Sequence, residues 1–530
     1  RVSRGLGDVY KRQGQGYSIV EVQSPYGYVL DSTPVYFDVT EENSSEESGV
    51  TVIKVEKTNM PQKGTISIEK TGEVFFGVLV SGGTDENGQE LPVIYQPIYE
   101  TQGLPDTVYE IRAAEDVVTP DGTLRYSKGE LVDTVTTDET GFAKSKELYL
   151  GKYEVKEVKA GYGMVLSSEV HTVELIYAGQ DVAVTETATS FVNERQKVEV
   201  SLEKALETNE LFGIGNNGEI KNISFGLFAD EELVSASGTS IPKDGLLEII
   251  TLDENGRATV GTDLPLGSYY VKELATDEHY QLNGEKYPVV FEYAGQETAT
   301  VAIAVNNGEP MENKLIYGSV SGKKVDENGE GLGGALIGLF KSDDVEFTEE
   351  NALMTAVSGD DGSFSFENVP YGNWYIREIK QPTGFVLDDT VYDVNISENE
   401  QVVEIEIVNE LVRGNIALTK VDAEYTDTKL TGAVFEVYKD SNDNGELDSE
   451  DELIGTLTEK EIGQYEMNDL LYGRYFILES ASPDSYIRDE GVYEVFIDTD
   501  GKTYQVGKHR GQRLRKRAYA WKPENRENIV

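Results

Sequence analysis

The sequence predicts an all-β protein, a row of small antiparallel β-sandwiches in tandem. Three observations predict it. Short runs rich in Val, Ile, Tyr and Phe are separated by turn clusters such as DENGR (253–257), DENGE (326–330) and GDDGS (359–363). No stretch carries a helical period of useful length. One segment also recurs five times along the 530 residues: YSIVEVQSPYGYVL (17–30), GKYEVKEVKAGYGMVL (151–166), GSYYVKELATDEHYQL (267–282), GNWYIREIKQPTGFVL (372–387) and GRYFILESASPDSYIR (473–488).

Within each copy an aromatic residue is followed four positions later by a glutamate. The pairs are Tyr17 and Glu21, Tyr153 and Glu157, Tyr269 and Glu273, Trp374 and Glu378, and Tyr475 and Glu479. An even separation puts both side chains on one face of a strand. An aromatic on that face is expected in the core, so the glutamate is expected there too.

A second element opens each complete copy. TISIEK ends at Lys70, VEVSLEK at Lys204, GSVSGKK at Lys324 and NIALTK at Lys420. Eleven residues before each lysine stands an asparagine: Asn59, Asn193, Asn313 and Asn409. Each asparagine is expected to close one domain and each lysine to sit on the first strand of the next. The short connections predict a rigid string. The expected divisions are a truncated unit at 14–62, complete units at 63–196, 197–317 and 318–412, and a unit at 413–507 lacking its last strand. Unequal spacing of the lysines places the longest insertion at about 80–130 in the first complete unit.

Composition narrows the function classes. Lys plus Arg number 46 against 97 Asp plus Glu, for a formal charge of -51, which argues against nucleic acid as a partner. Cysteine is absent, which removes disulfides, thiolate metal sites and cysteine nucleophiles. His171, His279 and His509 are too scattered to suggest a zinc cluster. No run of eighteen apolar residues occurs, so no membrane-spanning helix is expected, and no signal peptide is seen. Residues 1–13 read as a non-native leader and 508–530 as an aberrant basic tail, as at the edges of a fragment of a longer exported protein. The alternative for the tail is a segment that binds anionic partners.

Burial of a lysine, a glutamate and an asparagine together has a chemical reading. Apolar surroundings depress the pKa of an ammonium and raise that of a carboxyl. A neutral amine is a nucleophile, and a protonated carboxyl can pass its proton to a leaving ammonia. The product is an amide between lysine and asparagine, made once, with no cofactor required. Such a link between first and last strands does the work of a disulfide without cysteine. The rival reading of any single set is an ordinary buried ion pair.

The motif G-x-Y-x-x-x-E-x-x-x-P-x-G-Y and the segment GAVFEVYK (432–439) resemble the B-type domain of the collagen adhesin (Cna) family, also called the SpaA-like prealbumin-type domain of Gram-positive pilins. The resemblance spans about residues 14–507. It implies an inverse immunoglobulin-like sandwich and display on the extracellular, cell-wall-attached surface of a Gram-positive bacterium. It also implies stalk or adhesin roles with isopeptide bonds. Matching by motif gives the sets Lys70/Glu157/Asn193, Lys204/Glu273/Asn313 and Lys324/Glu378/Asn409, with Lys420/Glu479 lacking an asparagine and Glu21/Asn59 lacking a lysine. In the second complete unit the strand context favours Asn306, with Asn307 beside it, while the eleven-residue spacing favours Asn313. Gly161 and Asp277 replace the motif proline in two copies.

Two further segments carry chemistry. In DSNDNGELDSED, the residues Asp440, Asn442, Asn444, Asp448 and Asp451 fall on the ligand positions of a calcium loop, with Gly445 at the sharp turn. An acidic solvated hairpin is the rival reading, and calcium is expected only as a weak, structural ligand. LPDT (104–107) looks like a sorting motif but lacks the apolar run and basic tail that should follow. The first functional expectation is therefore a stalk. It would join a missing C-terminal cell-wall anchor to a region engaging a host or neighbouring-cell surface protein or glycan. The second is a direct binding module using the insertion at 80–130 or the loop at 205–222, and the third is the spacer of a larger surface enzyme.

Overall fold

The computed structural model describes residues 14–40, 45–47, 50–84, 88 and 90–513. It is all β apart from two 3-10 turns, Glu219–Asn222 and Val305–Gly308, among the described residues. Two compact bodies result, one formed by 1–206, 218–277 and 282–313, the other by 207–217, 278–281 and 314–530. The expected leader at 1–13 and most of the expected tail lie outside the described residues.

Within the first body, the unit at 63–196 shows how the ends meet. Its first strand, Lys63–Thr84, pairs in parallel with its last, Val184–Asn193, from Val184 opposite Lys63 to Asn193 opposite Gly72. A four-stranded sheet of Leu131–Thr136, Val108–Ala113, Gly151–Lys159 and Val170–Leu175 forms the other layer. Ile66, Ile68, Tyr109, Ile111, Tyr153, Val155 and Phe191 fill the space between. The repeated aromatic is buried as expected in the four complete copies, and each donates a hydrogen bond to the carbonyl four residues upstream. The bonds run from Tyr153 to Tyr149 (2.5 Å), Tyr269 to Pro265 (2.6 Å), Trp374 to Pro370 (2.9 Å) and Tyr475 to Leu471 (2.9 Å). That bond accounts for Tyr and Trp at a site where Phe would fill the same space. Tyr17 departs from the expectation: it is 44% exposed and stacks on Phe37 of a strand that pairs with its own.

The long insertion is an arm. Lys63–Thr84 and Glu90–Gly103 form an extended hairpin whose outer strand meets the next sandwich at Ile94, in parallel with Leu246. Phe75, Val78 and Tyr95 pack on the core of the 197–313 unit, and the carbonyls of Phe75 and Phe76 accept from the N–H groups of Ala236 and Ser237. These three apolar residues are thus used against a neighbouring domain of the same body, while Leu79, Val80, Leu91, Val93 and Ile98 of the arm stay exposed.

Joints in the first body share one device. Gln62 is buried and its amide donates to the carbonyls of Gly179 and Val182 while accepting from Ala178 N–H. Gln196 does the same to Gly295, Thr298 and Ala294. The clasped loops both read YAGQ, at 177–180 and 293–296, and their own glutamines reach back. Gln180 accepts from Ser24 N–H and Gln296 from Ala160 N–H. Buried amides with every polar atom satisfied hold a joint in one geometry. Arg195 adds to the second joint by lying 3.8 Å from the Tyr99 ring centre and ion-pairing with Glu73 and Asp263.

In the second body, Tyr317–Asp326 pairs in parallel with Val402–Asn409, and Arg413–Asp422 with Thr503–Arg513. The last pairing corrects an expectation. The final unit has a last strand, running past residue 507 to Arg513, and among the described residues Gly511 holds the ladder position that an asparagine holds in the other units.

Candidate crosslinking sites

Parallel pairing of first and last strands sets the geometry. Lys70, Lys204 and Lys324 stand opposite Phe191, Met311 and Ile407 in the ladders. The asparagine is two residues beyond that partner in every case, hence on the same inward face. Lys70, Glu157 and Asn193 meet in the first complete unit, Lys204, Glu273 and Asn313 in the second, and Lys324, Glu378 and Asn409 in the third. All nine side chains are buried.

Each lysine Nζ donates to its asparagine Oδ1: Lys70 to Asn193, Lys204 to Asn313 at 2.5 Å, and Lys324 to Asn409. Each asparagine Nδ2 donates to Oε1 of the glutamate, at 2.6 Å for Glu157, 2.8 Å for Glu273 and 3.0 Å for Glu378. The lysines lie 2.8, 3.3 and 3.6 Å from the same carboxylates. The amide nitrogen that would leave therefore faces the carboxyl, and the amine faces the amide carbonyl.

Electrostatics favour the neutral amine in all three sets and the protonated carboxyl at Glu378. Desolvation pulls Lys70, Lys204 and Lys324 below the ordinary lysine value, against the opposing pull of the neighbouring carboxylate. Burial likewise pushes Glu378 above the usual carboxyl range, although the N–H of Asp388 and the charge of Lys324 work against it. The rings of Phe191 and Phe225 stand about 6.0 and 5.7 Å from Lys70 and Lys204, keeping water from the amines.

Asn306 lies apart from this chemistry. It and Asn307 occupy a left-handed turn with φ of 55° and 56°, and the Asn306 amide donates to Glu309 O. The two flanking strand pieces, Thr300–Ala304 and Met311–Asn313, both pair with Lys197–Leu206. The last strand of this unit is therefore interrupted, and strand context in the sequence points to its first half.

The incomplete sets differ. Lys420 is buried 2.8 Å from Glu479, and the ladder position corresponding to the other asparagines is held by Gly511, opposite Asp422. Asn59 donates to Glu21 at 2.7 Å in the truncated unit.

At the proposed calcium loop, the Asp440 carboxylate accepts from the N–H groups of Asn444 and Gly445 and lies 3.3 Å from Arg474. The amides of Asn442 and Asn444 donate to Asp448, and Asp451 accepts from the N–H groups of Ser441 and Asp448. Among the described residues no group of three or more His, Asp or Glu side chains is gathered as a metal site. Nor is any helix among them long and apolar enough to cross a membrane. The glutamine clasps escaped the sequence reading. Their signal was the repeated YAGQ, with a glutamine eight residues before Lys70 and before Lys204.

Comparison with known proteins finds the SpaA prealbumin-like fold domain at residues 99–189, 213–307, 318–411 and 414–510. No curated protein matches significantly. Among solved structures, the TIE protein of Bacillus anthracis is similar at 18% identity, covering 82% of this chain and 75% of that one, with a TM-score of 0.43. The major pilin subunit BcpA of Bacillus cereus is similar at 16% identity over 66% of this chain and 100% of that one, TM-score 0.28. The major pilin SpaD of Corynebacterium diphtheriae is similar at 15% identity over 66% and 98%, TM-score 0.19.

Proposed function

The chain belongs to the SpaA family of prealbumin-like fold domains, and from that premise we propose that it is the structural stalk of a cell-surface adhesin or pilin, locked by lysine–asparagine amides that its own domains form. It is a pilin- and adhesin-like repeat protein in which buried Lys–Asn pairs lie beside buried glutamates, the pattern of an isopeptide crosslink. The single observation that carries the proposal is the threefold recurrence of one geometry, with Nζ on Oδ1 and Nδ2 on Oε1.

The chemistry balances within each domain. The neutral lysine amine attacks Cγ of the asparagine, forming the new C–N bond and a tetrahedral centre. The glutamate takes a proton from the attacking nitrogen and delivers one to Nδ2, which leaves as ammonia as the C–Nδ2 bond breaks. Contact distances set by folding replace a bimolecular encounter, so one turnover needs no further machinery. The amide joins the first strand to the last, and tension on the unit then falls on a covalent bond.

On this reading the units space a region engaging a host or neighbouring-cell protein or glycan away from a cell-wall anchor. Calcium in the 440–451 loop is proposed on ligand spacing alone. Calorimetric titration of the full chain tests it: heat that Asp440→Ala abolishes supports the site, and no heat removes it. The crosslinks are tested by peptide mass spectrometry. Branched peptides joining Lys70 to Asn193, Lys204 to Asn313 and Lys324 to Asn409 are expected, and unbranched peptides at all three would overturn the proposal.

A further inference from the structure

The glutamates have a second oxygen, and its partners follow a pattern. Oε2 of Glu273, Glu378 and Glu479 accepts from the backbone N–H ten residues on: Asn283 at 2.6 Å, Asp388 at 2.9 Å and Asp489 at 2.7 Å. Glu21 receives the same bond from Asp31 at 3.2 Å. In the 63–196 unit the corresponding residue is Ser167, whose N–H makes no such bond. There Oε2 of Glu157 accepts from the Tyr109 hydroxyl at 3.4 Å, besides Lys70 at 2.8 Å. Tyr109 stands directly across the ladder from Glu157. The same ladder position holds Phe225, Ile337 and Phe435 opposite Glu273, Glu378 and Glu479. The hydroxyl is thus present in the one complete copy that lacks the amide donor.

The chemistry of a carboxylic acid gives the pattern a use. A backbone N–H only donates, so an oxygen that accepts from it is not the one carrying the acid proton along that direction. A donor on Oε2 therefore favours the proton of the neutral acid on Oε1, and once the tetrahedral centre forms and Nδ2 turns from donor to acceptor, Oε1 is the oxygen that faces the nitrogen that must be protonated to leave. A phenol can donate in the same way, whereas Phe cannot. We propose that Tyr109 is a positioning residue for crosslinking in the 63–196 unit, standing in for the backbone amide and keeping the proton of Glu157 on the side of Asn193. This rests on the crosslinking reading above.

The surroundings suit the role. Tyr109 is wholly buried, and its ring lies 4.9 Å from Phe191, which borders Lys70. Burial and the charge of Glu157 raise the phenol well above its ordinary value, so it stays a neutral donor. The other titratable groups nearby are Lys70, Glu169, whose charge acts on Lys70, and His171, stacked on Phe191. A distance of 3.4 Å is long for O–H···O, and donors of this kind close in as the reacting atoms come together.

The test uses the full chain with Tyr109→Phe, a ring that the ladder already accommodates at Phe225 and Phe435. Protein is made in a short cell-free pulse and chased at several pH values, and the three branched peptides are followed by mass spectrometry. The expected result is a Lys70–Asn193 link that forms about tenfold more slowly with a displaced pH profile, while the other two links in the same molecules keep wild-type rates. Equal rates and profiles for Tyr109→Phe and wild type overturn the proposal while leaving crosslinking intact. Equal slowing of all three links also overturns it. Wild-type protein that forms no link at all overturns the crosslinking reading instead. Fluorotyrosine placed at position 109 guards against a folding defect in the Phe variant. It keeps the shape and a stronger donor, and a rate as low as that of Tyr109→Phe contradicts the role of the hydroxyl.

Discussion

Lys204 Nζ meets Asn313 Oδ1 at 2.5 Å, across a last strand broken by a left-handed turn at Asn306 and Asn307. The turn inserts residues between two pieces that both keep the parallel pairing with Lys197–Leu206, so the reactive asparagine is displaced downstream in sequence without being displaced in space. Asn313→Ala is therefore expected to abolish the Lys204 link, and Asn306→Ala to leave it complete. Peptide mapping of both variants checks this, and loss of the link in Asn306→Ala would reverse the assignment.

Removing one link should cost a measurable part of one unit's stability. Asn409→Ala leaves Lys324 and Glu378 in place but opens a covalent loop whose ends are 85 positions apart. Loop-closure reasoning puts the loss at about 4.6 kcal/mol. Differential scanning calorimetry is expected to show the transition of the 318–412 unit moving down while those of the other crosslinked units stay.

A pH dependence follows from the buried amine. In Glu378→Gln the link should not form, and Lys324 remains buried without its carboxylate. Desolvation, the largest influence on Lys324, holds its folded value below the ordinary lysine value of 10.5. The unfolded chain then binds the proton more tightly than the folded one, so stability rises with pH from the depressed value up to about 10.5. Urea midpoints of Glu378→Gln are expected to increase between pH 7 and pH 9.5. Lys324→Met in the same background should flatten the trend.

The glutamine clasps predict a local effect. Gln196→Ala strips three hydrogen bonds from the 294–298 loop and should cost about 1–3 kcal/mol at that joint. Hydrogen exchange at Ala294 is expected to accelerate, with all three branched peptides retained. Unchanged exchange would mean that the loop is held by other contacts.

Much of this was legible in the sequence because burial and strand parity leave periodic marks. Four of the five aromatic–glutamate pairs, Tyr17 and Glu21 excepted, and the asparagine–lysine spacings locate the inward faces, and the ladders place Lys70, Glu157 and Asn193 where those marks put them. Three things were hidden. The break at Asn306 looks like the end of a strand, because the sequence shows the first strand piece, and only the eleven-residue spacing to Lys324 points on to Asn313. The hairpin arm reads as an insertion, because the partner of Phe75 and Tyr95 is a core more than a hundred residues away. Residues 508–513 look foreign by charge, yet backbone pairing with Lys420 and its neighbours asks little of side-chain identity.

The central claim is covalent, and intact mass tests it most directly. Each amide expels one ammonia, a loss of about 17 Da. The account predicts a full chain three ammonias lighter than its sequence, with one regained in each of Lys70→Ala, Lys204→Ala and Lys324→Ala. A chain at the full sequence mass would contradict it, and the buried sets would then be ion pairs and nothing more.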